Sequence, residues 1–169
     1  MCEFVQRSPL IFLSTIDQRG LADVLPKGDG PGFVKFSTDG DLLIPDRPGN
    51  KLIMGFENIL RNQNVGIIFV ILNTRETLRV KGTAKLSNDP ELLDQLSAKG
   101  KPALLCTKVT VTECFFHCGK AMIRSGVWKP ETWQNRDKSL MIKSIAQKFS
   151  QQENHVEKSL EESYRDKLY

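Results

Sequence analysis

The sequence predicts a mainly β protein, an antiparallel β-barrel with peripheral helices and a helical tail. Three observations carry that expectation. About six apolar or alternating stretches precede residue 117, most joined by short turns, with only two short helix-like segments among them. Closely spaced strands with few helices form barrels rather than βαβ sheets. Neither a G-x-G-x-x-G following a strand nor a P-loop is present, so both dinucleotide and P-loop signatures are missing. Past residue 137 the pattern changes to apolar residues four apart among balanced charges, the mark of amphipathic helices.

Residues 9–16 (PLIFLSTI) are rich in apolar and β-branched types and read as the first strand. Asp17-Gln18-Arg19-Gly20 is a turn in which Gly20 supplies positive φ, and residues 21–25 return as a second strand. Pro26-Lys27-Gly28-Asp29-Gly30-Pro31-Gly32 reads as a loop. Its three glycines serve a plain surface loop or a backbone wall against a flat ligand. Residues 33–36 and 41–44 pair around Ser37-Thr38-Asp39-Gly40. Residues 52–62 set Leu52, Phe56, Ile59 and Leu60 on one helical face. Residues 65–72 (VGIIFVIL) are apolar on both faces, as in a central strand. In residues 77–86, Leu78, Val80 and Ala84 alternate with Arg79, Lys81 and Lys85, which makes a strand with one wet face. Asp89 caps and Pro90 opens a helix near residues 92–99, and residues 104–113 are the last long strand.

Residues 119–128 then read as a helix in which Lys120, Arg124 and Trp128 share a face. That face can grip a phosphate or flank an aromatic ring, or it is a solvated edge with a half-buried indole. In the tail, Met141, Ile145 and Phe149, then Val156, Leu160, Tyr164 and Leu168, mark two helices with a break at residues 151–154. These pack on the barrel or on a second subunit.

The 169 residues suit one domain with an appended arm. The apolar run at 65–72 is far too short to cross a bilayer. Met1-Cys2-Glu3-Phe4 carries no basic or long apolar leader, so the expected location is the cytoplasm, with the four cysteines as free thiols. The net charge of +4 is dispersed, which argues against a nucleic-acid platform and is compatible with a small anionic ligand. Cys114 and Cys118 flank His117, but the only other histidine is His155 in the tail. No metal is expected, and the thiols read as buried or half-buried structural groups.

The stretch Leu42-Leu43-Ile44-Pro45-Asp46-Arg47-Pro48-Gly49-Asn50-Lys51 has the composition of an anion site. An apolar strand feeds a stiff loop with two cations, and a helix starts directly after it. Arg47 forks onto phosphate oxygens, Lys51 adds a point charge, and open N–H groups at the helix start add to the attraction. The same residues also serve as a solvated turn with two surface cations.

Four motifs in order complete a resemblance: Pro-Lys-Gly-Asp at 26–29, LLIPDRPGNKL at 42–52, ETLRVKGTAKL at 76–86 and FFHCGKAMIRSGVW at 115–128. The chain resembles the pyridoxamine 5'-phosphate oxidase-like flavoproteins, and within them a bacterial FMN-dependent subgroup. The likeness covers residues 4–135 and extends into the tail at 161–168.

The resemblance implies an FMN-binding split β-barrel over residues 1–135 with a helical extension over 136–169. It implies a homodimer with FMN in a groove between subunits, and an FMN-dependent oxidoreductase acting on a small molecule. A non-catalytic flavin- or haem-binding carrier or sensor is the alternative. Val24, Leu25, Pro26, Lys27, Gly28 and Asp29 would line the isoalloxazine, largely through backbone, with Ile44 and Pro45 ending the strand beneath. Arg47, Asn50 and Lys51 would hold the phosphate, and Thr77 and Arg79 would reach the cofactor edge. Phe116, Lys120, Arg124, Ser125 and Trp128 would come from the partner chain. Lys27 and Arg79 are the candidates for stabilising negative charge at the N1/O2 edge of the reduced flavin. The family's vitamin-forming oxidases carry an Arg-x-His pair for the substrate phosphate. Met122 and Arg124 stand there instead, which argues against pyridoxamine phosphate as substrate.

Overall fold

In the computed structural model of the chain, residues 1–49, 53–133, 139–166 and 168–169 are described. Among them, seven strands form one antiparallel sheet: β1 (Leu10–Ile16), β2 (Ala22–Gly28), β3 (Lys35–Phe36), β4 (Leu42–Asp46), β5 (Asn64–Val70), β6 (Thr77–Ser87) and β7 (Leu105–His117). The order across the sheet is β2-β1-β5-β6-β7-β4-β3. The helices are α1 (Cys2–Arg7), α2 (Met54–Arg61), α3 (Pro90–Gln95), α4 (Lys120–Ser125), α5 (Leu140–Phe149) and α6 (Glu153–Asp166). This is the mainly β architecture with a helical tail that the residue pattern predicts, in the split-barrel form that the resemblance implies.

The sheet curls on itself, but among the described residues no backbone ladder closes it. β2 lies at one end of the strand order and β4 beside the other end. Yet Lys27 Nζ lies 2.7 Å from Asp46 Oδ1, and Arg47 Nε lies 2.9 Å from Asp29 Oδ2. Two ion pairs bridge the seam where an uninterrupted barrel would have main-chain hydrogen bonds.

Alternation along the strands sends Ile11, Leu13, Ile44, Ile67, Phe69, Leu78, Val80 and Val109 into one apolar core. α2 lies against β1, where Asn58 Nδ2 donates to Thr15 Oγ1 at 3.0 Å, both residues buried. Leu43 and Cys106 face the other way and meet Leu96 and Ala103 under α3. Burial pushes the Cys106 thiol up to about 11, so it stays an inert thiol near neutral pH. Asp89 caps α3 by accepting from the N–H groups of Glu91 and Leu92.

A bulge at Lys81/Gly82 puts Glu113 opposite Lys81 and Val111 opposite Gly82, so one extra residue enters β7. That residue shifts the parity of β7, and both Val109 and Cys114 pack on the core side. A Cβ on Gly82 would run into the carbonyl oxygen of Thr110, so only glycine fits this crossing.

Several boundaries depart from the sequence expectation. β2 continues through Pro26-Lys27-Gly28 because β1 pairs with it as far as Gly28 opposite Leu10. Pro26 is tolerated because β2 is an edge strand. β7 runs to His117 because β6 offers partners down to Thr77. α4 stops at Ser125, since Gly126 takes φ 63° and caps it, so Trp128 does not share a helical face with Lys120 and Arg124. In the tail the buried stripe is Ile142, Ala146 and Val156, whereas Met141 and Phe149 are exposed. α5 ends at Ser150 in a left-handed conformation, and Glu153 opens α6 rather than ending the break. Ile142, Ala146 and Val156 pack together, with Ile145 and Leu160 against them. α1, which the sequence did not announce, adds Val5 to the main core. Cys106 is buried and Cys114 half-buried, but Cys2 and Cys118 are exposed. Leu52, which opens the expected 52–62 helix, lies outside the described residues, and α2 starts at Met54. Among the described residues no helix is long and apolar enough to cross a membrane.

Candidate functional site

β2 and β4 bring four charged side chains of alternating sign to the seam. The Lys27 ammonium is held by Asp46 and lies 5.2 Å from the centre of the Phe56 ring on α2. Asp29 accepts three hydrogen bonds: from the N–H of Gly30 at 2.7 Å, from the Tyr169 hydroxyl at 2.7 Å and from Arg47 Nε at 2.9 Å. The side chains of Arg47 and Asp29 are only 14% and 8% exposed. Arg47 Nη1 is buried and has no hydrogen-bond partner among the described residues. A buried N–H of a guanidinium left unpaired is costly, and such a donor is a natural receiver for an anionic oxygen. Beside it lies a cavity of about 380 Å³ lined by Arg47, Pro48, Lys101, Pro102, Leu104 and Tyr169 among others.

The Asp29 carboxyl shows the balance of forces here. Burial opposes its charge, but hydrogen bonds from Tyr169, Gly30 and Arg47 outweigh burial and hold its pKa below the ordinary 3.8. A depressed folded-state pKa adds stability that is present above the ordinary value and is lost as pH falls through the lower one. Melting temperatures taken between pH 5 and pH 3 are therefore expected to fall less steeply for Asp29→Asn than for the parent chain. An identical slope would show that the carboxylate is not engaged at the seam in solution.

The predicted site residues divide into two groups. Val24, Leu25, Pro26, Lys27, Gly28 and Asp29 sit on or just after edge strand β2, and one rim of its main chain is open. Arg47 directly follows β4. Ile44 is fully buried in the core and Pro45 is buried too, so these two support the seam from below. Asn50 and Lys51 lie outside the described residues.

The second group sits at the far end of the β6–β7 ribbon. Thr77 opens β6 opposite His117 and is buried. Arg79 projects from the sheet face opposite the core and its guanidinium lies 5.3 Å from the Phe115 ring centre. Phe116 meets Phe4 edge-on at 5.6 Å. Lys120, Arg124 and Ser125 are exposed on α4. The Trp128 indole N–H donates to the carbonyl of Thr74 at 2.8 Å, tying the segment after α4 to the β5–β6 turn. β4 pairs with β7 at the Leu105 end, where Asp46 meets Leu105, whereas Phe116 is at the other end. A strand of 13 residues spans roughly 40 Å at about 3.3 Å per residue. The β4 side of the seam and the α4 group therefore lie at opposite ends of β7.

Sequence reasoning passed over Asp46, Phe56, Lys101 and Tyr169. Asp46 stands inside the anion motif and was readable as a counter-charge. Nothing near Tyr169 or Lys101 marks either of them, because their partners lie 140 and 68 residues away.

A profile described as pyridoxamine 5'-phosphate oxidase matches residues 1–118. Among solved structures, HupZ of Group A Streptococcus aligns at 16% identity and TM-score 0.53, over 68% of this chain and 88% of that one. General stress protein 26 of Bacillus anthracis aligns at 13% identity and TM-score 0.51, over 68% and 88%. A Clostridium acetobutylicum protein related to general stress protein 26, of the pyridoxinephosphate oxidase family, aligns at 15% identity and TM-score 0.50, over 69% and 84%. At these identities the likeness is one of fold. A search of curated proteins found no match.

Proposed function

Because this chain belongs to the pyridoxamine 5'-phosphate oxidase family, whose members generally bind a flavin, we propose that it is an FMN-dependent oxidoreductase acting on a small molecule as a homodimer. The observation that carries the reading is Arg47: a guanidinium fixed in the seam, with a buried terminal nitrogen that lacks a partner among the described residues, next to the open rim of β2. A phosphate oxygen would complete its hydrogen bonding.

In this reading Arg47 holds the phosphate together with Asn50 and Lys51 of the same loop. The main chain from Val24 to Asp29 lines the ring, and Ile44 and Pro45 keep the strand beneath it rigid. Thr77 and Arg79 meet the cofactor edge. Phe116, Lys120, Arg124, Ser125 and Trp128 of a second subunit cover it. A bound flavin supplies the electron transfer, and the protein positions it and tunes its charge. Lys27 is already neutralised by Asp46, whereas Arg79 rests on an aromatic ring, so Arg79 is the better placed cation to stabilise the reduced ring. Met122 and Arg124 replace the Arg-x-His pair of the vitamin-forming oxidases, which points to a substrate other than pyridoxamine phosphate.

Residues 1–135 form the flavin domain in this proposal. Residues 136–169 form the helical extension, whose own apolar cluster at Ile142, Ala146 and Val156 makes it a separate packing unit. The proposed location is the cytoplasm. An absorbance spectrum of the purified protein, with mass analysis of what heating releases, tests the reading. Flavin bands and the mass of FMN are expected, and rapid mixing with NAD(P)H or a candidate donor should bleach them. A Soret band, or a protein that stays colourless after incubation with FMN, overturns it. Bound FMN that no donor reduces would leave a carrier in place of an enzyme.

A further inference from the structure

Tyr169 is held at both ends. Its hydroxyl donates to Asp29 Oδ1 at 2.7 Å, and its main-chain oxygen accepts from Lys101 Nζ at 2.6 Å. Tyr169 also lines the cavity beside Arg47. These contacts fix a residue remote in sequence onto the carboxylate that pairs with the proposed phosphate-binding cation.

We propose that Tyr169 is a positioning residue for flavin phosphate: by occupying Asp29 Oδ1 it limits Asp29 to a single-point hold on Arg47, and so leaves the guanidinium's terminal nitrogens for phosphate oxygens. The inference rests on the assignment of Arg47 to the phosphate. A carboxylate and a guanidinium left to themselves prefer a two-point fork. Each carboxylate oxygen has about two acceptor positions. On Oδ1 both are filled, one by the N–H of Gly30 and one by the Tyr169 hydroxyl. Arg47 is left with Oδ2, which it meets through Nε at 2.9 Å. Removing the hydroxyl reopens Oδ1. The guanidinium then turns into a fork that spends a terminal nitrogen on Asp29 and neutralises more of its charge. Lys101 keeps the ring seated by holding the other end of the residue.

The test compares FMN with riboflavin, which lacks the phosphate, in fluorescence titrations of the full chain. Tyr169→Phe is expected to weaken FMN by about tenfold and to leave riboflavin unchanged. With Asp29→Asn already in place, Tyr169→Phe should add nothing, because an amide offers a single acceptor oxygen and cannot fork. Arg47→Ala should abolish the preference for FMN over riboflavin. The chain has only two tyrosines, so phenol titration by absorbance reads the contact without any flavin. Tyr169 is expected to ionise above the ordinary phenol value, owing first to its hydrogen bond with Asp29 and then to burial, and Asp29→Asn, which removes the carboxylate charge, should reduce the difference. If Arg47→Ala loses the preference and Tyr169→Phe keeps it, or weakens both ligands equally, the positioning role is wrong and the phosphate assignment stands. If Arg47→Ala keeps the preference, both are wrong.

Discussion

Arg47→Ala combined with Lys51→Ala is expected to weaken FMN binding by about two to four orders of magnitude, with riboflavin binding changed by no more than a few-fold. Each replaced group would remove a charge-assisted hydrogen bond to phosphate, worth roughly 1.5–3 kcal/mol. Arg47 is held at the seam by Asp29, is mostly buried, and carries a terminal nitrogen without a partner among the described residues. Lys51 belongs to the same motif and lies outside the described residues. The double variant also strips Asp29 of its cation, although the donors from Tyr169 and Gly30 remain. A stability loss on the order of 1–3 kcal/mol is expected from that change, so melting curves should accompany the titrations. FMN affinity equal to that of the parent chain would refute the phosphate site outright.

Ile68→Arg is expected to convert a dimer into monomers and to cost at least about a hundredfold in flavin affinity. The strand registers align Pro26, Phe12, Ile68, Arg79 and Phe115 in one row across the sheet, on the face away from the core. Phe12, Ile68 and Phe115 are 38%, 39% and 37% exposed in the single chain. Three large apolar side chains lined up on an open sheet face call for a cover. In the proposed homodimer a second copy would supply it and at the same time bring its α4 segment to the first copy's seam. An arginine in the middle of that row, next to Arg79, would be a buried like charge with no partner. Light scattering reads the mass and fluorescence reads the flavin. A parent chain that is monomeric and still binds FMN tightly would sink the shared groove.

The barrel was legible because strands announce themselves locally. The alternation of Leu78, Val80 and Ala84 against Arg79, Lys81 and Lys85 reports one buried and one wet face whatever the neighbouring strands are. The capping of α3 by Asp89 was readable for the same reason: donor and acceptor lie within three residues. Expectations failed where a partner distant in the chain, or in one case a neighbouring glycine, decided the outcome. Pro26 to Gly28 look like loop by composition, but β1 holds them as strand. Trp128 is four residues beyond Arg124, but Gly126 ends the helix first and Thr74 takes the indole. In α5 the tail stripe moved by one position, to Ile142 and Ala146, because α5 and α6 bury the face they turn to each other and spacing alone admits adjacent stripes, whereas Val156 and Leu160 of α6 pack as expected.

By itself the sequence determined the strand order in the chain, the alternation of buried and wet positions along β6, the cation-bearing loop after β4 and the family likeness, since all of these are written in short periods and contiguous motifs. Tertiary structure alone decided how the charges pair. Lys27 with Asp46, Arg47 with Asp29 and Tyr169 upon Asp29 are contacts across 19, 18 and 140 residues. Such pairings exist only because the sheet curls until its two ends face each other. That curl comes from the twist and packing of all the strands together, and no local window of residues contains it.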